Sequence, residues 1–322
     1  MATPSAIPII TGPRDASEEP PSAADSTAPS HKLPAPKFQL QIHDLRHPAS
    51  QFFLTTIPDL ASTLETALCA IIQNLYTPPT PETVAGAGTP AASGKKRKHP
   101  PTFKPSIPPT RSVTVLLRDI GGVAYTTGKD LDNDHKEIHI SLAYIQHCRT
   151  KADPLAEIVG VLTHELVHCY QYAAPRATVD GKPDDSTPRA PGGLVEGVAD
   201  FVRLKAGLSP PHWTRPTSAK ERPEKWDSGY QHTAYFLAWL EDVRVGRGAI
   251  GLLNDRLCRV GYVGKGKSKE GAVDAEGKKR HSFWAALYGA TIEELWDDYG
   301  SWLDGSGGHG DWEDEIVNPC ET

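Results

Sequence analysis

Two histidines and three carboxylates at helical spacing are the residues of this chain best placed to do chemistry. His164-Glu165-Leu166-Val167-His168 forms an H-E-x-x-H pattern. On a helix, positions i and i+4 share a face, so His164 and His168 can offer two imidazoles to one ion. Glu165 stands beside them, where it can act on a water without being a ligand. Two imidazoles leave a catalytic zinc site one protein ligand short of the usual three. The candidate third lies in Gly192–Leu208, GGLVEGVADFVRLKAGL, where Glu196 and Asp200 are again four apart. Zinc enzymes with two His and one Glu use such a Glu as ligand. A carboxylate one turn on commonly holds a histidine N–H and fixes its tautomer, which suits Asp200. Two plainer readings compete: a surface helix that merely carries two histidines, and an ion pair between Asp200 and Arg203.

The elements around these residues favour chemistry. Asp153-Pro154 reads as an N-cap and a first-turn proline. From there Leu155, Ile158, Val159, Leu162, Leu166 and Cys169 repeat at helical spacing and predict a buried face. Pro175 ends the helix soon after Tyr172. Two histidines and a glutamate on a buried helix need partners, and a metal ion supplies one. The second stretch predicts a helix from about Leu194 to Ala206, stopped by Gly207.

Four motifs in fixed order carry a family resemblance. GGVAYTTG with EIHISLAYIQ is followed by HELVHCYQ, then APGGLVEGVADFVRLKAGL, then WDSGYQHTAYFLAWLE. Together they resemble the plant basic secretory protein family of zinc metallopeptidases, over roughly Lys37 to Leu303 with insertions. The matching family segments read DGVAYASNNEIHVSARYIQ, H-E-x-x-H-x-x-Q, APGGLIEGIADYVRLKAGY and W-x-x-GY-x-x-TARFL. The resemblance implies an α+β, zincin-like domain, with a small N-terminal mixed sheet and a mostly helical C-terminal half. It also implies zinc held by His164, His168 and Glu196, with Glu165 as general base. His232 and Tyr235 depart from the family's pattern. Enzymes with this ligand set usually add a downstream Tyr or His donor for the oxyanion. Of Tyr230, His232, Tyr235 and Tyr262, Tyr230 matches the family's GY and opens a helix; the alternative is that its ring packs beneath that helix.

In chain order, residues 1–36 read as a disordered tail rich in Pro, Ser and Ala. Lys37–His43, Val113–Leu117, Val123–Thr126 and Glu137–Leu142 read as strands. The last is expected to border the cleft, as in zincins, and to pair with an extended substrate. Asp59 caps a helix to Tyr76. Residues 77–110 and 264–280 lack apolar period and read as flexible insertions in a domain of 37–304, followed by a tail of 305–322 whose Trp312 and Ile316 are expected to dock. Lys95–Lys98 reads as a solvated basic run, with a nuclear-localisation patch as the alternative. Asp130–Asp134 fails the calcium-loop pattern and reads as a polar hairpin loop. Ser228–Val245, Ala249–Val260, Phe283–Tyr288 and Ile292–Leu303 read as helices, the last opened by a Thr291…Glu294 capping box. Gly261–Ser268 formally matches a phosphate loop but lacks the strand before and the helix after.

The net charge of −6 gives no reason to expect nucleic acid, and no run of apolar residues is long enough for a membrane span. Five scattered cysteines without C-x-x-C spacing suggest reduced, buried thiols. With no signal-peptide pattern, that leans toward an intracellular protein, although the resembling family is usually secreted. The expectation is a monomeric zinc metallopeptidase acting on peptides or proteins. The alternatives are a zinc-stabilised binding module without turnover and, remotely, a phosphate-loop nucleotide-binding protein.

Overall fold

The computed structural model describes residues 34–79, 102–175, 189–263, 282–307 and 316–317. All lie in one compact unit, Leu33–Thr322. The tail expected before residue 34, the run Lys95–Lys98, the insertion at 264–280, the phosphate-loop pattern beyond Val263 and Trp312 lie outside the described residues. Ile316 does dock, and it is fully buried.

Alternating apolar residues build four strands, β1 (Lys37–Ile42), β2 (Ser112–Arg118), β3 (Ala124–Lys129) and β4 (Asp132–Ser141). They form a small mixed sheet of order β1-β2-β4-β3. β2 is parallel to both β1 and β4, and β3 runs antiparallel to β4. The expectation that β4 borders the cleft is therefore corrected. β4 is paired on both sides, and β3 is the edge strand whose Tyr125 and Thr126 line the cleft. Only Asp130 and Leu131 form the turn of this hairpin; Asp132 onward already belongs to β4.

Two helices join β1 to β2: α1 (Pro48–Thr56), which the sequence reading omitted, and α2 (Leu60–Leu75). Asp59 caps α2 by accepting from Ser62 N at 2.9 Å. A second omitted helix, α3 (Leu142–Cys148), steps off β4 with Ser141 as its cap. It leads to α4 (Pro154–Tyr170), which carries H-E-x-x-H. Asp153 accepts from Ala156 N at 2.9 Å, and Pro154 occupies the first turn. Ile158, Leu162, Leu166 and Cys169 are buried, but Leu155 is 48% exposed because burial begins only at Glu157, one turn in. Val113, Val115 and Leu117 of β2 join Leu64, Ile71 and Leu75 of α2 and Leu162 and Leu166 of α4 in the core.

The second site helix is α5 (Gly192–Lys205), followed by α6 (Tyr230–Trp239). The single helix expected over Ser228–Val245 instead begins at Tyr230 and widens into a π-helical turn, Leu240–Val245. α7 (Ala249–Val260), α8 (Phe283–Tyr288) and α9 (Ile292–Trp302) complete the helical half. The Thr291…Glu294 capping box is present on α9. Phe236, Trp239, Trp284, Trp296 and Tyr299 hold this half together, with ring centroids 5.2 to 6.3 Å apart.

Cys148, Cys169 and Cys258 are free and buried. Cys69 is disulfide-bonded, which corrects the expectation of reduced thiols throughout. Pairing depends on tertiary proximity, which cysteine spacing does not report.

Candidate metal centre

α4 and α5 pack side by side, with His164 against Glu196 and Asp200 and Gly160 against Arg203. Later residues of α5 thus meet earlier residues of α4, so the helices run antiparallel and their site faces meet. His164 is only 9% exposed, which sets aside the surface-helix reading. Among the described residues, His164, His168 and Glu196 form the group that can hold a metal ion. His164 Nε2 lies 3.1 Å from Glu196 Oε2 and 3.1 Å from His168 Nε2, and His168 Nε2 lies 3.7 Å from Glu196 Oε2. A tetrahedral ion with ligands at about 2.0–2.2 Å holds its donors about 3.3–3.6 Å apart. The three atoms therefore come close to three corners of such a site, two separations slightly short and one slightly long.

The outer partners fix the rings. His164 Nδ1 donates to Asp200 Oδ1 at 2.6 Å, which turns Nε2 toward the cluster. Asp200 makes no ion pair with Arg203. The amide of Gln171 lies 2.6 Å from His168 Nδ1. With Nε2 facing the cluster, Nδ1 carries the proton and the amide presents its oxygen, its two ends being interchangeable by a flip. Sequence reasoning missed Gln171, although its place in the family's H-E-x-x-H-x-x-Q was a signal. Burial works against charging His164, but its bonds to Asp200 and Glu196 outweigh it and hold its pKa up at about 9. Contacts from His164 and His168 hold Glu196 down at about 2. The cluster attracts positive charge to its centre, and a divalent ion provides it.

Glu165 stays out of the cluster. Its Oε2 lies 2.7 Å from Thr126 Oγ1, which is also 2.9 Å from the Glu165 backbone carbonyl. Thr126, on β3, is the second residue that sequence reasoning missed; no local spacing links it to Glu165.

Tyr230 reaches the cleft by a close approach of backbones. A Cβ on Gly193 would overlap the Asp227 carbonyl oxygen, and one on Gly197 the Thr233 side chain. Two side-chain-free positions on α5 thus let the chain entering α6 pass over the cluster. Thr233 holds that entry, accepting from Gly229 N at 3.0 Å and donating to Trp226 O at 2.9 Å. Gly229 has φ +84° and Tyr230 itself φ +46°, a left-handed conformation that costs a non-glycine residue about 1–2 kcal/mol. Tyr230 is 58% exposed, and its ring stacks over His164 at 6.2 Å, so it does not pack beneath the helix. Glu196 and partial burial raise its pKa, which keeps the phenol a donor. His232 also lines the cleft, whereas Tyr235 and Tyr262 are buried in the core.

The cleft around these groups measures about 1070 Å³. No curated protein and no solved structure matches the chain. Residues 35–299 match the family model BSP, "Peptidase of plants and bacteria". That match spans the sheet, both site helices and the Tyr230 turn, and the chain belongs to this family of peptidases.

Proposed function

We propose that this chain is a zinc-dependent metallopeptidase with a zincin-like fold, monomeric, and acting on peptide or protein substrates. The observation that carries the reading is the near-tetrahedral spacing of His164 Nε2, His168 Nε2 and Glu196 Oε2 beside a non-ligand Glu165. Two imidazoles and one carboxylate are a catalytic zinc set with a fourth position left open. When bound, zinc supplies Lewis-acid chemistry, acidifying water and polarising a carbonyl. Glu165 takes the proton of the attacking water and delivers it to the leaving amine. Thr126 holds the Glu165 carboxylate toward the cleft. Asp200 and Gln171 keep both imidazoles oriented. Tyr230 donates its phenol proton to the oxygen on which negative charge develops. An extended substrate pairs with the edge of β3. One chain supplies the whole site, which supports action as a monomer. The negative charge and the absence of a spanning helix among the described residues support neither nucleic acid nor membrane as partner.

Elemental analysis of the full-length protein, with peptide digestion before and after chelation, tests this reading. Near one zinc per chain and hydrolysis that chelation stops and zinc restores are expected. Bound zinc without hydrolysis would instead favour a zinc-stabilised binding module. Hydrolysis indifferent to chelation would end the metal assignment.

A further inference from the structure

The cleft does not stop at the cluster. It continues along α4 and α5 to a deep end lined by Tyr144, Glu157, Val161, Arg203 and Trp213. Glu157 precedes His164 by seven residues, and Arg203 follows Glu196 by seven. Seven residues are about two helical turns, or about 10 Å, so both stand on the cleft side of their helices at the same depth.

Arg203 is 7% exposed, and its Nη2 is enclosed without a hydrogen-bond partner among the described residues. Its Nε donates to Leu208 O at 2.9 Å, and its plane lies 5.4 Å from the Trp213 ring centroid. A Cβ on Gly160 would overlap the guanidinium, so α4 leaves space for it. Neither Asp200 nor Glu157 forms an ion pair with Arg203, and Asp200 is committed to His164. Glu157 is 6% exposed, and the Tyr144 hydroxyl lies a long 3.4 Å from its carboxylate. A buried cation and a buried anion thus line one pocket without a direct ion pair, attracting each other only across it, and buried charges left so loosely matched are costly.

We propose that this deep end is a side-chain subsite that takes a carboxamide, Gln or Asn, of the residue beside the scissile bond. The inference rests on the peptidase reading of the same cleft. A substrate carboxylate would meet Arg203 but be repelled by Glu157, and an ammonium group the reverse. Arg203 Nε is taken by Leu208 O and Nη2 is enclosed against Gly160, so a carboxamide offers its acceptor to the Nη1 N–H groups and its two donors to the Glu157 carboxylate, with no charge to add. Trp213, Tyr144 and Val161 enclose its methylenes.

The test uses the full-length protein supplied with zinc and a set of alanine-based peptides. One position carries Gln, Asn, Glu, Lys, Met or Leu, and cleavage is read by mass spectrometry. The binding of the same peptides to the Glu165→Gln protein is measured in parallel. Gln or Asn beside the cut should be favoured over Met and Leu by roughly 10–100-fold, because both bonds go to charged groups. Glu157→Gln, which keeps the volume, should move the preference to Glu. A preference for aliphatic or charged residues, or a carboxamide preference unchanged in Glu157→Gln, would overturn the subsite. Selective binding of Gln peptides without cleavage would keep the subsite and remove the peptidase reading. Neither cleavage nor selective binding would remove both.

Discussion

Asp200 and Glu196 sit one turn apart on the same face of α5, yet they meet opposite nitrogens of the His164 ring, at 2.6 and 3.1 Å. Their removal should therefore differ in kind. If Glu196 is a ligand, Glu196→Ala should leave little bound zinc. Asp200→Asn keeps the ring in place through a weaker acceptor and should weaken zinc by roughly 10–100-fold. Equal losses in a zinc titration would contradict the division of roles. Tyr230→Phe removes one hydroxyl and little volume. If that hydroxyl meets the oxyanion, kcat should fall roughly 10²–10³-fold with zinc content and melting temperature unchanged. An unchanged kcat would pass the role to His232. The helical i,i+4 spacing made His164, His168, Glu196 and Asp200 legible in the sequence. Thr126 was not, because it reaches Glu165 from a strand 39 residues earlier in the chain.

At the level of elements, glycine decides how α6 meets α5. Gly193 faces the Asp227 carbonyl so closely that any side chain there must push the Tyr230 turn outward. Gly193→Ala should cost about 1–3 kcal/mol of stability, as overpacking does. It should also lower kcat with zinc affinity kept. Wild-type kcat in a folded Gly193→Ala protein would show that the turn does not position the catalytic group. The strands and most helices followed from apolar period and caps. The sheet order did not, because alternation marks a strand's faces but not its neighbours. The π-helical turn Leu240–Val245 was equally hidden, since an extra residue per turn leaves the apolar run unbroken. α1 began on a legible signal, His47-Pro48, with His47 accepting from Ala49 N, but nine residues gave it little period.

For the whole molecule, one buried acid couples stability to pH. Burial pushes Glu241 up to about 7 despite the opposing charge of Lys205, while its Oε2 accepts from Ile250 N at 3.1 Å. An acid whose folded pKa lies above its unfolded value stabilises fully below the unfolded value. That stability is lost as pH rises through the folded one. The window runs from the ordinary 4.5 up to about 7. At about 1.4 kcal/mol per pH unit, the loss is on the order of 3 kcal/mol. Glu241→Gln keeps the acceptor without the charge, so its melting temperature should fall less between pH 5 and 8 than that of the wild type. A parallel decline in both proteins would assign the pH dependence elsewhere. The central claim, a zinc-dependent peptidase with Glu165 as its base, is tested most directly by Glu165→Gln, with zinc content and peptide hydrolysis measured on the same preparation. The account predicts near one zinc per chain and hydrolysis reduced on the order of 10²–10⁴-fold. Undiminished hydrolysis in that variant would contradict it.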